Sequence, residues 1–133
     1  MKKHFDLLCE IIGKARKLGI KLLVGTDTGN NTFMTHGDHH AKELEIFVKY
    51  GGYTPMEAIV AATKGNAMAV GLTGQVGEIA AGKLADVIVL DADPLADITV
   101  LQGGKHLSWV IKDGRIVDLG LRDDMLTFRH AAE

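Results

Sequence analysis

The sequence predicts an α/β fold in its first half and a β-rich segment in its second half. An amphipathic helix is followed, after one or two turn residues, by a short apolar run, which is the repeat of a parallel α/β protein. Two further helical patterns follow a long polar loop. Beyond residue 74, glycines and short runs of Val, Ile and Leu replace the helical periodicity. The chain is therefore predicted to divide near residue 73.

The first helix is predicted over residues 3–18, where apolar side chains recur at three- and four-residue spacing. Gly19 is well placed to end this helix, because glycine adopts the left-handed conformation of a helix terminus without steric cost. Residues 20–24, with the sequence IKLLV, form a largely apolar run that Gly25 closes. Such a run is typical of a buried strand.

The long stretch 25–39 has almost no periodicity and is rich in Gly, Asn, Asp, Thr and His. Loops of this length in compact domains are often functional. A second helix is predicted over about 40–50. The sequence TPME at 54–57 then combines a capping box with proline at the first helical position. It predicts an alanine-rich helix through about residue 63, with a short further helix over 66–70.

The second half predicts short strands at 86–90, 98–101, 108–112 and 115–118. Asp113 and Gly114 lie between the last two runs and favour a two-residue hairpin turn, because both turn positions need positive φ. Trp109 and the Val and Ile residues of these runs are predicted to lie in the core. The tail, 121–133, has only a weak helical pattern.

The composition excludes several classes of function. Seventeen acidic and fifteen basic residues give a net charge of −2, whereas nucleic-acid-binding domains usually have a pI above ~9. No apolar run approaches the ~18 residues of a membrane span. The single cysteine, Cys9, excludes an internal disulfide and a cysteine zinc cluster. Cys9 is predicted to be a small core residue, and a cytoplasmic, reducing compartment is expected.

Asp27 is the leading candidate for a catalytic residue. It follows the carboxyl end of a predicted buried strand, which is where α/β folds place their ligands and catalytic groups. A carboxylate at that position can bind a metal ion and accept the proton of a hydrolytic water. The alternative is a residue whose side chain caps the loop in an Asx-turn. The position alone leaves both interpretations open.

Two short motifs match known sites only superficially. The triplet DTG at 27–29 matches that of aspartic proteases, but that fold is nearly all β and helical patterns flank the triplet here. The run GEIAAGKL at 77–84 has the glycine and lysine spacing of a phosphate loop. Leu84 stands where such a loop needs Ser or Thr to hold magnesium, so a glycine-rich turn is favoured.

His36, His39 and His40 lie within five residues of one another. They lack the glutamate and the helical spacing of the H-E-x-x-H zinc motif. We therefore favour neutral imidazoles that line a loop, one of them in contact with substrate, over a metal site built from this stretch alone.

Longer stretches of the sequence resemble one family. KLLVGTDTG at 21–29, the His-Gly pair at 36–37 and ELEIFVKYGGYTPMEAIVAATKGNAMAVGL resemble the end of the barrel in the amidohydrolase superfamily. GQVGEIAAGKLADVIVLDADPLADI and WVIKDGRIVD resemble the small C-terminal β-sandwich segment of that superfamily. The loop and helices are most similar to the imidazolonepropionase and Xaa-Pro dipeptidase (prolidase-like) branch. The resemblance covers about residues 3–120.

The resemblance implies a specific architecture. Residues 1–73 would be the last βα unit or units of a TIM-type (β/α)8 metal-dependent hydrolase barrel, with 20–24 as the eighth strand. Residues 74–120 would be the C-terminal strands of a small β-sandwich domain, and 121–133 a tail. Because a complete barrel needs about 250 residues, the chain would be a C-terminal fragment of such an enzyme.

The resemblance also implies a site. Such enzymes hold one or two divalent metals, often zinc, where the barrel strands end. By the resemblance, Asp27 would bind the metal and shuttle the proton of the hydrolytic water, His36 would contact substrate, and Thr28 would line the pocket. The H-x-H pair and the other metal ligands of the family would lie upstream of Met1, because no H-x-H occurs in the chain.

We therefore expect the C-terminal fragment of a metal-dependent amidohydrolase that hydrolyses amide, lactam or Xaa-Pro peptide bonds in small molecules. The isolated chain is expected to be inactive, because catalytic zinc usually needs three protein ligands. A non-catalytic, oligomerising α/β module derived from the same fold is the alternative. An unpaired strand would favour homo-oligomers or association with the missing part of the barrel. No nucleic-acid or membrane partner is expected.

Overall fold

The computed structural model describes residues 2–28 and 38–117, and the fold is given for these two ranges. Four α-helices and one π-helical turn come first, and a three-stranded antiparallel sheet and one 3-10 helix follow. The elements in chain order are α1 (Lys2–Lys17), α2 (Asp38–Lys49), α3 (Pro55–Val60), a π-helical turn (Ala61–Gly65), α4 (Asn66–Ala69), β1 (Val87–Leu90), the 3-10 helix (Ile98–Leu101), β2 (Leu107–Lys112) and β3 (Arg115–Ile116). None of the helices in this part of the chain is long and apolar enough to cross a membrane.

Helix α1 ends as the sequence predicts. Gly19 has φ +74°, and its N–H donates to the carbonyl of Arg16 at 2.9 Å. The N–H of Ile20 donates to the carbonyl of Ala15 at 3.0 Å. These two bonds are those of a Schellman motif, which requires the left-handed conformation at the residue that glycine occupies here. The predicted boundaries, 3–18, differ from the observed ones by one residue at each end.

The strand predicted over 20–24 is not a strand in the structure. Residues 20–27 have no regular secondary structure, and we call them the connecting segment. A strand is defined by a hydrogen-bonded neighbour. The only sheet in the described part of the chain contains β1, β2 and β3, so the connecting segment has no neighbour there.

The third helical region begins with the predicted capping box. The hydroxyl of Thr54 accepts a bond from the N–H of Glu57 at 3.3 Å, and the Glu57 carboxylate accepts one from the N–H of Thr54 at 2.8 Å. This backbone bond, with further bonds from the Thr54 hydroxyl and from Arg16, lowers the pKa of Glu57 to about 2. The helical conformation then continues over 55–69 through a π-helical turn, rather than breaking near residue 63 as predicted.

The β-rich half agrees with the predictions in part. β2 and β3 form a hairpin in which Lys112 pairs with Arg115, and Asp113 and Gly114 have φ +50° and +74°. This confirms the predicted turn. The strand predicted over 98–101 is wrong. Ile98–Leu101 is a 3-10 helix, and the Asp97 carboxylate caps it by accepting a bond from the N–H of Thr99 at 2.9 Å.

A small core lies between α2, the helical region 55–69 and the 3-10 helix. Side chains of the connecting segment, Leu22 and Val24, pack against this core. Cys9 is buried on α1 with a free thiol, as predicted for a core residue. The buried members of the core are Leu44, Phe47, Ala58, Ala61 and Ile98.

Many large apolar side chains outside this core are exposed. Trp109 is 53% exposed, so its predicted core position is wrong: within the described residues, the face of the sheet that it occupies is not covered by another layer. In proteins generally, large contiguous patches of exposed apolar residues mark interaction sites. The core prediction is also wrong for Ile88, Val89, Ile116 and Val117, which are exposed, and is confirmed for Ile98, which is buried. Other strongly exposed apolar residues are Leu7, Leu8, Ile11, Leu18, Ile20, Val70 and Ile79.

The glycine-rich stretch 77–84 is a turn that packs closely against the helical region 55–69. A Cβ atom on Gly77 would lie 2.9 Å from both the Cα of Lys64 and the carbonyl oxygen of Thr63, and Gly77 has φ +87°. Lys83 donates to the Glu78 carboxylate at 3.2 Å, and Lys64 donates to the same carboxylate at 3.0 Å. Glycine is needed at 77 because the backbone approaches the helix closely, which supports the structural interpretation of this motif over a phosphate loop.

Gly77→Ala is expected to destabilise the chain more than Gly82→Ala, measured as the free energy of unfolding in urea. Both glycines have positive φ, but no atom lies within 4 Å of the position of a Cβ on Gly82. Gly82→Ala is expected to cost about 1 kcal/mol of backbone strain. Gly77→Ala should cost at least about 1–3 kcal/mol more, because helix backbone atoms must move. Equal costs at the two positions would contradict this packing.

Candidate functional site

The polar residues at the end of the connecting segment meet two helices. Thr26 and Asp27 end the segment after its apolar part, and Thr28 follows directly. The side chains of Glu43 on α2 and Asn66 on α4 bond to the backbone just before them. We call these five residues the site cluster.

Asp27 is exposed and has φ +51°. Non-glycine residues rarely adopt this conformation, and Asp and Asn are among those that tolerate it. Within 2–28 and 38–117, no hydrogen bond or ion pair involves its carboxylate, so both oxygens are accessible to a ligand. The Asx-turn alternative concerns the N–H of Gly29, which lies outside the described residues.

Thr28 is half-buried and faces α2. Its hydroxyl oxygen accepts a bond from the Thr26 hydroxyl at 3.1 Å and lies 3.2 Å from Nε2 of His40. The structure therefore brings Thr28 close to one of the three clustered histidines. His39 occupies the same first turn of α2, and His36 lies outside the described residues.

Glu43 and Asn66 were not identified from the sequence. The N–H of Gly25 donates to the Glu43 carboxylate at 3.1 Å, and the Asn66 amide nitrogen donates to the carbonyl of Val24 at 2.8 Å. Burial raises the pKa of Glu43, opposed by the Gly25 bond and by the charge of His40. No local pattern predicts these contacts, because the partners are 18 and 42 residues apart in sequence.

Two cavities flank the end of the connecting segment. One, of about 270 Å³, is lined by Gly25, Thr26, His39 and Glu43 among others. The other, of about 720 Å³ and mainly apolar, has Val24, His40 and Asn66 in its lining. The larger cavity is within the range of small-molecule sites, about 300–1,000 Å³, and the smaller one is slightly below it.

A complete metal site is not present among the residues that the structure describes. In these ranges, no group of three or more His, Cys, Asp or Glu side chains could hold a metal ion. Asp27 suits a divalent cation as one oxygen ligand, but a catalytic zinc site usually needs three protein ligands. Asp27 could therefore be one ligand of such a site, but the described residues do not supply the full set of ligands.

Comparison with known proteins places the chain in a family. The model of the amidohydrolase family matches residues 9–117. Ochratoxinase from Aspergillus niger is 42% identical over 106 residues, which are 77% of this chain and 20% of that protein. Imidazolonepropionase from Alkaliphilus oremlandii is 32% identical over 116 residues, 85% of this chain and 27% of that protein.

Comparison with solved structures indicates the same family. The structure matches that of a Xaa-Pro dipeptidase with bound methionine in its active site, with a TM-score of 0.72 and 34% identity, over 83% of this chain and 25% of the dipeptidase. The chain thus spans about a fifth to a quarter of the length of these relatives. The resemblance inferred from the sequence is confirmed, and this chain belongs to the amidohydrolase family.

Proposed function

We propose that the chain is the C-terminal portion of a metal-dependent amidohydrolase that hydrolyses C–N bonds of small amide, lactam or Xaa-Pro dipeptide substrates. The observation that best supports this function is the accessible Asp27 carboxylate at the end of the connecting segment, where the preceding residue, Thr26, lines a cavity. The match to the amidohydrolase family over residues 9–117 supports hydrolysis as the class of reaction. The names of the relatives support C–N bonds as the bonds that are hydrolysed.

In this proposal, residues 1–73 are the last part of a (β/α)8 barrel, residues 74–120 are C-terminal strands of a β-sandwich, and 121–133 are a tail. The connecting segment supplies the eighth strand. Its Leu22 and Val24 already pack against the helical core, as the outward face of a barrel strand does. The lack of a paired strand in the described ranges agrees with neighbours supplied by another part of the fold.

Asp27 is proposed to bind the metal and to move one proton. When bound, a divalent ion such as zinc lowers the pKa of water to roughly 7 and so supplies the nucleophile. Asp27 would be one oxygen ligand of such an ion, and its carboxylate would take up the proton of the hydrolytic water and pass it to the leaving nitrogen. His36 is proposed to contact substrate. Thr28, whose hydroxyl contacts His40, is proposed to line the pocket.

One observation favours a second candidate, a non-catalytic module that associates through its exposed apolar surface. The described residues contain no group of three or more His, Cys, Asp or Glu side chains that could hold a metal ion, and catalytic zinc usually needs three protein ligands. Under either proposal the isolated chain is inactive. We also propose a cytoplasmic location, for which the support is the single free cysteine.

Asp27→Asn is expected to abolish activity in a chimera in which this chain replaces the corresponding C-terminal portion of a Xaa-Pro dipeptidase. Loss of the proton shuttle alone should lower kcat roughly 10²–10⁴-fold, and loss of a metal ligand should lower it further. The measurement is zinc-dependent hydrolysis of an Xaa-Pro dipeptide. Asp6→Asn, an exposed change on α1, is the charge-matched control.

A chimera that is fully active with Asp27→Asn would refute the role of Asp27. A folded, zinc-loaded chimera with no activity would favour the non-catalytic module. Turnover by the isolated chain would contradict the proposal that the site is incomplete.

The isolated chain is expected to form dimers or larger species, because many of its large apolar side chains are exposed to solvent. Multi-angle light scattering should give a mass above 14.3 kDa. Leu8→Lys, on the exposed face of α1 where Leu8 is 59% exposed, should shift the distribution toward monomer without unfolding. A monodisperse wild-type monomer would count against association through these faces.

A further inference from the structure

We infer that Glu43 and Asn66 are positioning residues: together they clamp the peptide between Val24 and Gly25 and thereby fix the backbone that presents Asp27 to its ligand. The functional part of this inference rests on the role proposed above for Asp27. The geometric part stands on the contacts of the described residues.

Both clamp bonds are made to a single peptide unit. The carbonyl of Val24 and the N–H of Gly25 belong to the same planar amide, so they point in opposite directions. The Asn66 amide donates to the carbonyl at 2.8 Å, and the Glu43 carboxylate accepts from the N–H at 3.1 Å. The peptide is therefore held from two sides by two different helices, α4 and α2.

Helices α2 and α4 can anchor these two side chains because buried residues lie next to Glu43 and Asn66 in the sequence. Leu44, next to Glu43, is 7% exposed, and Gly65 and Ala67, on either side of Asn66, are buried. A Cβ atom on Gly65 would lie 2.8 Å from a methyl group of Leu23, so the connecting segment also packs closely against this helix.

The clamp bears on Asp27 because only the backbone torsions of Gly25 and Thr26 separate Asp27 from the clamped peptide. Each residue has only two soft torsions, so fixing the peptide between Val24 and Gly25 restricts the positions that Asp27 can take. On the other side, the Thr28 hydroxyl bonds to Thr26 and approaches His40. Asp27 thus lies between two tethered points, with φ +51°. Asp tolerates this left-handed conformation better than most non-glycine residues, and the tethers on either side favour it here.

The local electrostatics agree with a specific role for Glu43. Its carboxylate is half-buried, and burial raises its pKa. The Gly25 N–H and the charge of His40 both favour its ionised form. A carboxylate kept half-buried against a backbone N–H is therefore engaged in a defined contact and is not simply part of a solvated helix face.

The experiment is amide NMR on the isotope-labelled 133-residue chain, with the matched variants Glu43→Met, which has no acceptor, and Glu43→Gln, which keeps one. Glu43→Met should raise the exchange rate of the Gly25 amide at least about tenfold. It should also lower the order parameter of Asp27 from about 0.85 to below 0.6. Glu43→Gln should restore both. Asn66→Asp, which removes the donor at constant shape, should loosen Asp27 in the same way.

Glu45→Met is the control on the same helix, since Glu45 bonds to Lys42 and Gln102 and not to the connecting segment. The inference is overturned if Asp27 stays rigid in both Glu43→Met and Asn66→Asp, or if Glu43→Gln behaves like Glu43→Met. Equal loss of protection throughout α2 would also overturn it, because that result indicates general destabilisation. If Glu43→Met fails to fold, the comparison of Asn66→Asp with Glu43→Gln decides.

This experiment measures backbone dynamics and not enzymatic turnover, so its failure can be distinguished from failure of the proposed function. A rigid Asp27 in the variants would leave the family and the proposed chemistry untouched. Loss of the role of Asp27 in the hydrolase assay would leave the clamp in place as a structural device.

Discussion

Backbone N–H and C=O groups need hydrogen-bond partners, and the connecting segment contains a row of them on an apolar stretch of chain. In the described structure no strand lies beside residues 20–24. Two side chains, Glu43 and Asn66, satisfy one peptide at its end. These two bonds hold the peptide two residues before Asp27, and the backbone of residues 21–24 has no strand partner in the described structure. We propose that the missing neighbours are strands of the same barrel.

Like the backbone hydrogen bonding, the packing of apolar side chains is incomplete within the described residues. The core between α2, the 55–69 helical region and the 3-10 helix is small, and it covers only part of the apolar surface. Leu22 and Val24 bury their side chains on this core, whereas Ile20 is 55% exposed. The helices therefore hold the connecting segment from one side. This arrangement keeps the segment end and its polar residues in place while leaving surface for further elements to cover.

Local signals predicted those parts of the structure that local chemistry determines. Gly19 ends α1, the Thr54 capping box begins α3, and Asp113 with Gly114 forms the hairpin turn. Predictions that depend on neighbours failed. Residues 98–101 were predicted as a strand from their apolar pattern, but the Asp97 cap starts a 3-10 helix there. Asp27 could be named as a candidate from its place after an apolar run, and its role remains a proposal. Glu43 and Asn66 could not, because they act on a peptide far away in sequence.

The most direct test of this account is hydrogen exchange at the backbone amides of residues 21–24. It should be measured on the monomeric chain at low concentration and again in the chimera with the dipeptidase barrel. We predict near-unprotected exchange in the isolated chain, and protection comparable to that of the β1 and β2 amides once the barrel is supplied. Strong protection in the isolated monomer, or no added protection in a folded chimera, would contradict the claim that this segment is a barrel strand without its neighbours.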